Sequence, residues 1–139
     1  MRDGVGDERR GERLPRFALD AVGSRARDAF DRWRAAVAPV FEARLAPDQD
    51  ADGFAIAFEA YNFGPLVLGR TQGRGRQSYE RSTATVARSG VDHLLVQTYV
   101  AGRNAVRAES TEFDVRPGDV WLFDMGRTVR TETRDFANV

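Results

Sequence analysis

His93 is the one histidine in the chain, and cysteine is absent. These two facts limit the available chemistry. Without cysteine there is no thiolate nucleophile, no disulfide and no thiolate-ligated zinc. A single imidazole beside Asp92, with Glu80 upstream, could act as a general acid or base. No nucleophile stands at a spacing that would use it. No serine occupies a Gly-x-Ser-x-Gly elbow. A borderline divalent metal needs several nitrogen donors held together, so no metal or other cofactor is expected. Asp48, Asp50 and Asp52 ahead of Gly53 place carboxylates at alternate positions, as a calcium loop does. That run reads as a solvated polar loop. Gly73-Arg74-Gly75-Arg76 has the composition of a phosphate cradle but no helix predicted behind it. The residues therefore argue against an enzyme and for a binding surface.

Tyr79, Arg81, His93, Gln97, Tyr99 and Trp121 are the candidate ligand-binding residues. His93, Gln97, Tyr99 and Trp121 place a few donors and acceptors among apolar neighbours on predicted strands, as small-molecule sites do, and Tyr79 and Arg81 flank a predicted loop-to-strand junction. On the strand starting at Asp92, His93, Leu95, Gln97 and Tyr99 share one face. Leu94, Val96, Thr98 and Val100 share the other. Alternation alone leaves open which face turns inward.

The elements that must position these residues change character along the chain. Residues 1–22 mix charges of both signs with few large apolar side chains, and read as a flexible leader ahead of a domain over 23–139. From Ser24, a predicted N-cap, Phe30, Trp33, Val37 and Phe41 recur at helical spacing, and Pro39 predicts a break just before it. From Phe54 the period becomes two. Strands are predicted over Phe54–Glu59, Leu66–Arg70, Thr83–Arg88, Asp92–Ala101, Val106–Phe113 and Val120–Met125, with a further one over Thr128–Thr133. Gly73–Arg76 is predicted as a loop and Gly102-Arg103-Asn104 as a turn. Short strands at such intervals, with no helices between them, indicate an antiparallel β-body preceded by one or two helices.

Arg116-Pro117-Gly118-Asp119-Val120-Trp121-Leu122-Phe123-Asp124 is a turn feeding an aromatic strand, and it resembles the Pro-Gly-Asp turn before a late strand of cupin barrels. Those barrels lead on to a metal-binding histidine; here Arg127–Glu132 contains none. The same segment follows a helix with Trp33 and Phe41, then Phe54, Gly64-Pro65-Leu66-Val67-Leu68, Arg81, and Leu94-Leu95-Val96 running to Gly102. In that order the chain resembles the N-terminal, cupin-like ligand-binding and dimerisation domain of AraC/XylS-type transcription regulators, over roughly residues 30–139. The resemblance implies a mainly β fold, a cupin-like antiparallel barrel (double-stranded β-helix), that binds a small organic effector and helps form a homodimer. DNA would be bound by a C-terminal pair of helix-turn-helix motifs. Nothing in these residues reads as that pair. A regulator cut short within its last barrel strands is therefore expected, because a natural end there would leave an unpaired strand edge. A stand-alone cupin-like protein or small enzyme is the alternative.

Composition agrees with this reading. The 139 residues suffice for about one domain, and 42% hydrophobic residues supply a core. Cations and anions number 21 each, every cation is arginine, and the mixed signs leave no basic patch for nucleic acid. No apolar run approaches the ~18 residues that span a bilayer, and no export signal opens the chain. A cytoplasmic location with no membrane partner is expected.

Overall fold

The computed structural model describes residues 14–20, 25–48 and 51–139. Helix α1 (Ala26–Val37) carries Ala29, Phe30 and Trp33 on its buried face and stops two residues before Pro39. Arg25 stands at its N-cap without a capping side chain; the predicted cap, Ser24, lies outside the described residues. Arg16–Asp20, expected within a flexible leader, forms strand β1 and pairs antiparallel with β3 (Ala55–Asn62). The rest of 1–22 lies outside the described residues.

β2 (Glu42–Leu45), β4 (Val67–Arg74), β5 (Arg76–Arg81) and β9 (Val129–Asn138) join these in one curled antiparallel sheet of order β1-β3-β4-β9-β5-β2. The remaining strands are β6 (Leu94–Ala108), β7 (Thr111–Val115) and β8 (Val120–Asp124). β6 is shared between β7, β8 and β9. The result is a mainly β half-barrel, the cupin-like architecture expected. β9 is not an open edge: it pairs with β4, β5 and β6. Two apolar clusters fill the concave side. One packs α1 through Phe30 and Trp33 against Phe54, Ile56 and Phe136; the other gathers Tyr99, Val106, Phe123 and Met125. Phe41 packs against both.

Three expectations need correction. Thr83–Arg88 is not a strand but lies in helix α2 (Thr83–Ser89). Its threonines and valine imitate strand composition, yet Ser82 caps the first turn by accepting from the Thr85 amide, and Gly90 ends the helix in the left-handed region. Gly73–Arg76 is not a loop, since β4 runs to Arg74 and β5 starts at Arg76. Gly102-Arg103-Asn104 is not a turn but a bulge inside one 15-residue strand, β6. The reversal comes later, after Ala108, where Glu109 takes a positive φ.

A carboxylate anchors α2 to β2. Thr85 Oγ1 (2.8 Å) and Ser82 Oγ (3.1 Å) both donate to Glu42 Oε1. The Thr85 bond, then that of Ser82, holds the carboxyl below its ordinary value of 4.5, with Arg88 and Arg44 adding to the effect. A depressed folded-state value stabilises the fold above that range, and the gain is lost as pH falls through it. Glu42→Gln is therefore expected to flatten the fall in thermal midpoint as pH is lowered through the carboxylate range. Parallel curves for parent and variant would refute this.

Candidate functional site

Three bends at one level of the sheet determine what faces its hollow. Gly75 alone separates β4 from β5, and its amide donates to Asp135 Oδ1 on β9 (2.9 Å). Asp135 itself has φ +46°, and on the far side of β9 Gly102 of β6 has φ +89°. The bends at Asp135 and Gly102 each switch the alternation of their strand, whereas across Gly75 the phase is kept, with Thr71 and Gly73 and then Gln77 and Tyr79 on the inner face. On β9, Val129, Thr131 and Thr133 face inward before Asp135, and Phe136 and Asn138 after it. On β6, Leu95, Gln97 and Tyr99 face inward before Gly102, and Asn104 and Val106 after it. Leu94, Val96 and Val100 turn outward and are exposed.

The inward residues and the end of α1 enclose a cavity of about 260 Å³. Trp33, Val37 and Phe41 close one side, with Phe58, Tyr79 and Phe136 on the sheet. Thr71, Gln97, Tyr99, Thr131, Thr133 and Asn138 supply its polar groups. Among the described residues no charged side chain lines it. Trp33 Nε1 donates to the Tyr79 hydroxyl (2.9 Å), which donates in turn to Gln77 Oε1. The Tyr99 hydroxyl donates to Gln97 Oε1 (2.9 Å). Burial pushes the Tyr79 phenol well above its ordinary range, against a smaller lowering by Trp33, and pushes Tyr99 up to about 12. Both phenols are neutral at physiological pH. Thr133 Oγ1 is buried without a hydrogen-bond partner, and so are both polar atoms of the Asn104 amide. This surface offers hydrogen bonds and aromatic contact, and no acid–base pair.

Of the six candidate residues, Tyr79, Gln97 and Tyr99 line the cavity; Arg81, His93 and Trp121 do not. Arg81 is fully buried elsewhere. Its guanidinium donates to the carbonyls of Met125 (2.7 Å), Val40 (2.8 Å) and Val91 (2.8 Å) and to Ser89 Oγ (2.8 Å). His93 is exposed just before β6, and its carbonyl accepts from the Met125 amide (3.1 Å). Trp121 stands opposite Gln97 in register, but its ring packs on Phe113, with centroids 4.9 Å apart. Thr133, Phe136 and Asn138 escaped the sequence reading. The alternation of Val129, Thr131 and Thr133 with Arg130 and Glu132 was the available signal for the first; the switch at Asp135 hid the other two.

The acidic run carries more of the calcium-loop pattern than Asp48, Asp50 and Asp52 alone. Counted from Asp48, Glu59 stands at the twelfth position, so the spacing of a calcium loop is complete. In the structure, however, a strand follows Gly53 instead of a helix. Glu59 pairs there with Arg16 (2.6 Å) and Arg70 (3.2 Å) and accepts from the Tyr61 hydroxyl (2.8 Å). Asp48 pairs with Arg76, and Asp50 lies outside the described residues. Among the described residues no three histidines or carboxylates are grouped to hold a metal. No helix among them is long and apolar enough to cross a membrane.

No protein-family model matches the chain, and no curated protein matches it by sequence. A solved structure does: that of the AraC-like transcriptional activator CuxR, with a TM-score of 0.82 and 26% identity. The match covers 89% of this chain and 45% of CuxR, so the chain spans just under half the length of that relative. The fold of this chain is thus that of an AraC-like transcription regulator, over the part of such a protein that it spans.

Proposed function

We propose that this chain is the effector-sensing part of a transcription regulator, with a small organic molecule as its signal. The observation that carries this reading is the cavity of about 260 Å³ inside a fold shared with a transcriptional activator. Its walls come from two bodies, the end of α1 and the sheet, so an occupant touches both. A ligand that binds better when α1 sits in one position shifts the chain toward that position by its difference in affinity. Movement of α1 is then the output passed to the rest of the regulator. On this reading DNA is bound by a helix-turn-helix part outside these residues, homodimers form through the regulator, and the protein acts in the cytoplasm. Among the described residues the lining has no histidine, cysteine or carboxylate, which favours binding over catalysis.

A thermal-shift screen of small organic metabolites on the purified chain tests this. A hit at a hundredfold excess over its Kd adds about 2.7 kcal/mol of stability, which raises the midpoint by several degrees. Val37→Trp, which fills the cavity from the helix side, is expected to abolish that rise while the variant still unfolds cooperatively. Hits whose shift survives Val37→Trp would place binding elsewhere.

A further inference from the structure

The lining identifies the class of ligand, provided the cavity is the effector site. We infer that the occupant is an uncharged, largely aromatic molecule whose single polar end, a hydroxyl or an amide, docks against Thr133 and Gln97. Charge is excluded first. Among the described residues no arginine, aspartate or glutamate lines the cavity, and Arg81 directs its guanidinium to the carbonyls of Met125, Val40 and Val91 and to Ser89 Oγ. An ionised ligand would lose its hydration with no counter-charge in return.

Shape and polarity follow from the walls. The rings of Trp33, Phe41, Phe58 and Phe136 surround the hollow and leave flat apolar faces for a ring system. An apolar cavity of about 150 Å³ accommodates benzene, so about 260 Å³ suits a fused bicyclic. The polar end is located by an unpartnered group. Thr133 and Gln97 line the cavity, while Asn104, the register partner of Thr133 on β6, is not part of its lining. Thr133 Oγ1 is buried without a partner, and such a group costs stability until something bonds it. Thr133 Oγ1 can donate or accept, which a hydroxyl or an amide can match. Gln97, whose Oε1 already accepts from Tyr99, has amide hydrogens for the same purpose.

Calorimetric titration of the purified chain with 2-naphthol, 2-methylnaphthalene and 2-naphthoate tests the assignment. The naphthol is expected to bind, with the naphthoate at least about a hundredfold weaker. Thr133→Val and Gln97→Leu should each weaken the naphthol by about three- to tenfold and leave the methylnaphthalene unchanged. The methylnaphthalene arm reports whether either variant has damaged the cavity itself. Naphthoate binding as tight as naphthol, naphthol affinity unmoved by both substitutions, or no binding by any probe would each overturn the assignment. Val37→Trp separates the two levels of failure. If naphthoate binds and Val37→Trp abolishes it, the ligand class is wrong and the sensing cavity stands. If metabolite shifts persist in Val37→Trp, the cavity reading itself falls.

Discussion

Arg81→Met is expected to cost about 4 kcal/mol or more, enough to leave much of the chain unfolded if its stability lies in the usual range of about 5–15 kcal/mol. The side chains are similar in length, so little volume is lost. What the variant removes is a set of donors reaching three carbonyls and a hydroxyl at 2.7–2.8 Å. Those acceptors come from four places: the segment after α1, the end of α2, the segment that follows α2, and the residue after β8. With methionine they stay behind, each costing about 1–3 kcal/mol if left unbonded. One effect opposes this. Burial lowers the Arg81 pKa, a sign that the guanidinium is costly to bury, and replacing a buried charge with an apolar group can be neutral. That offset applies when both partners of a pair are replaced; here only the donor goes, so the loss dominates. Arg81→Lys should recover only part of the stability, because an ammonium cannot reproduce the planar fork. Urea denaturation checks both variants. A midpoint for Arg81→Met within about 1 kcal/mol of the parent would overturn the account, as would unchanged stability with lost naphthol affinity, which would return Arg81 to ligand binding.

Arg81 also shows what kind of information the sequence carried. Its type and its place beside a predicted loop-to-strand junction were visible, and arginine beside aromatic residues reads equally well as a ligand clamp or a structural clamp. The choice depends on three carbonyls from distant segments, and carbonyls have no signature in a sequence. The curled β-body was more legible, because periodicity is local: Phe54, Ile56 and Phe58 alternate, and Pro117-Gly118 announces β8. Alternation likewise put Gln97 and Tyr99 on one face of their strand, whereas Tyr79 was singled out only beside a predicted loop-to-strand junction. The apolar lid was half visible in the helical spacing of Trp33, Val37 and Phe41. Failures occurred where a cap or a bulge overrode the local pattern. Ser82 and Gly90 turned a β-like run into α2. Asp135 and Gly102 moved Phe136, Asn138 and Asn104 to the inner face, against the phase that the preceding residues had set.

Gly102→Ala is accordingly expected to be nearly as damaging as loss of Arg81, although it adds a single methyl group. At φ +89° an alanine pays for an unfavourable backbone conformation, about 1–3 kcal/mol. Its Cβ would also lie 2.3 Å from the Asp135 carbonyl oxygen and 2.6 Å from Phe136 Cα, where no flexible side chain can yield. β6 and β9 must separate or lose the bulge, and either change resets the alternation that brings Asn104 and Phe136 inward. A loss of about 3 kcal/mol or more is expected, with 2-naphthol binding lost in whatever fraction still folds. Gly118→Ala supplies the comparison. Gly118 has a similar φ of +96°, but nothing lies within 4 Å of its added Cβ, so only the conformational cost remains. Paired urea titrations of the two variants isolate the steric part. Equal losses at Gly102 and Gly118 would mean that the close approach of β6 to Asp135 and Phe136 is not what shapes the cavity. A larger loss at Gly102, with the aromatic near-ultraviolet signal collapsing only there, would tie the position of Phe136 and the unpartnered Asn104 to that one bulge.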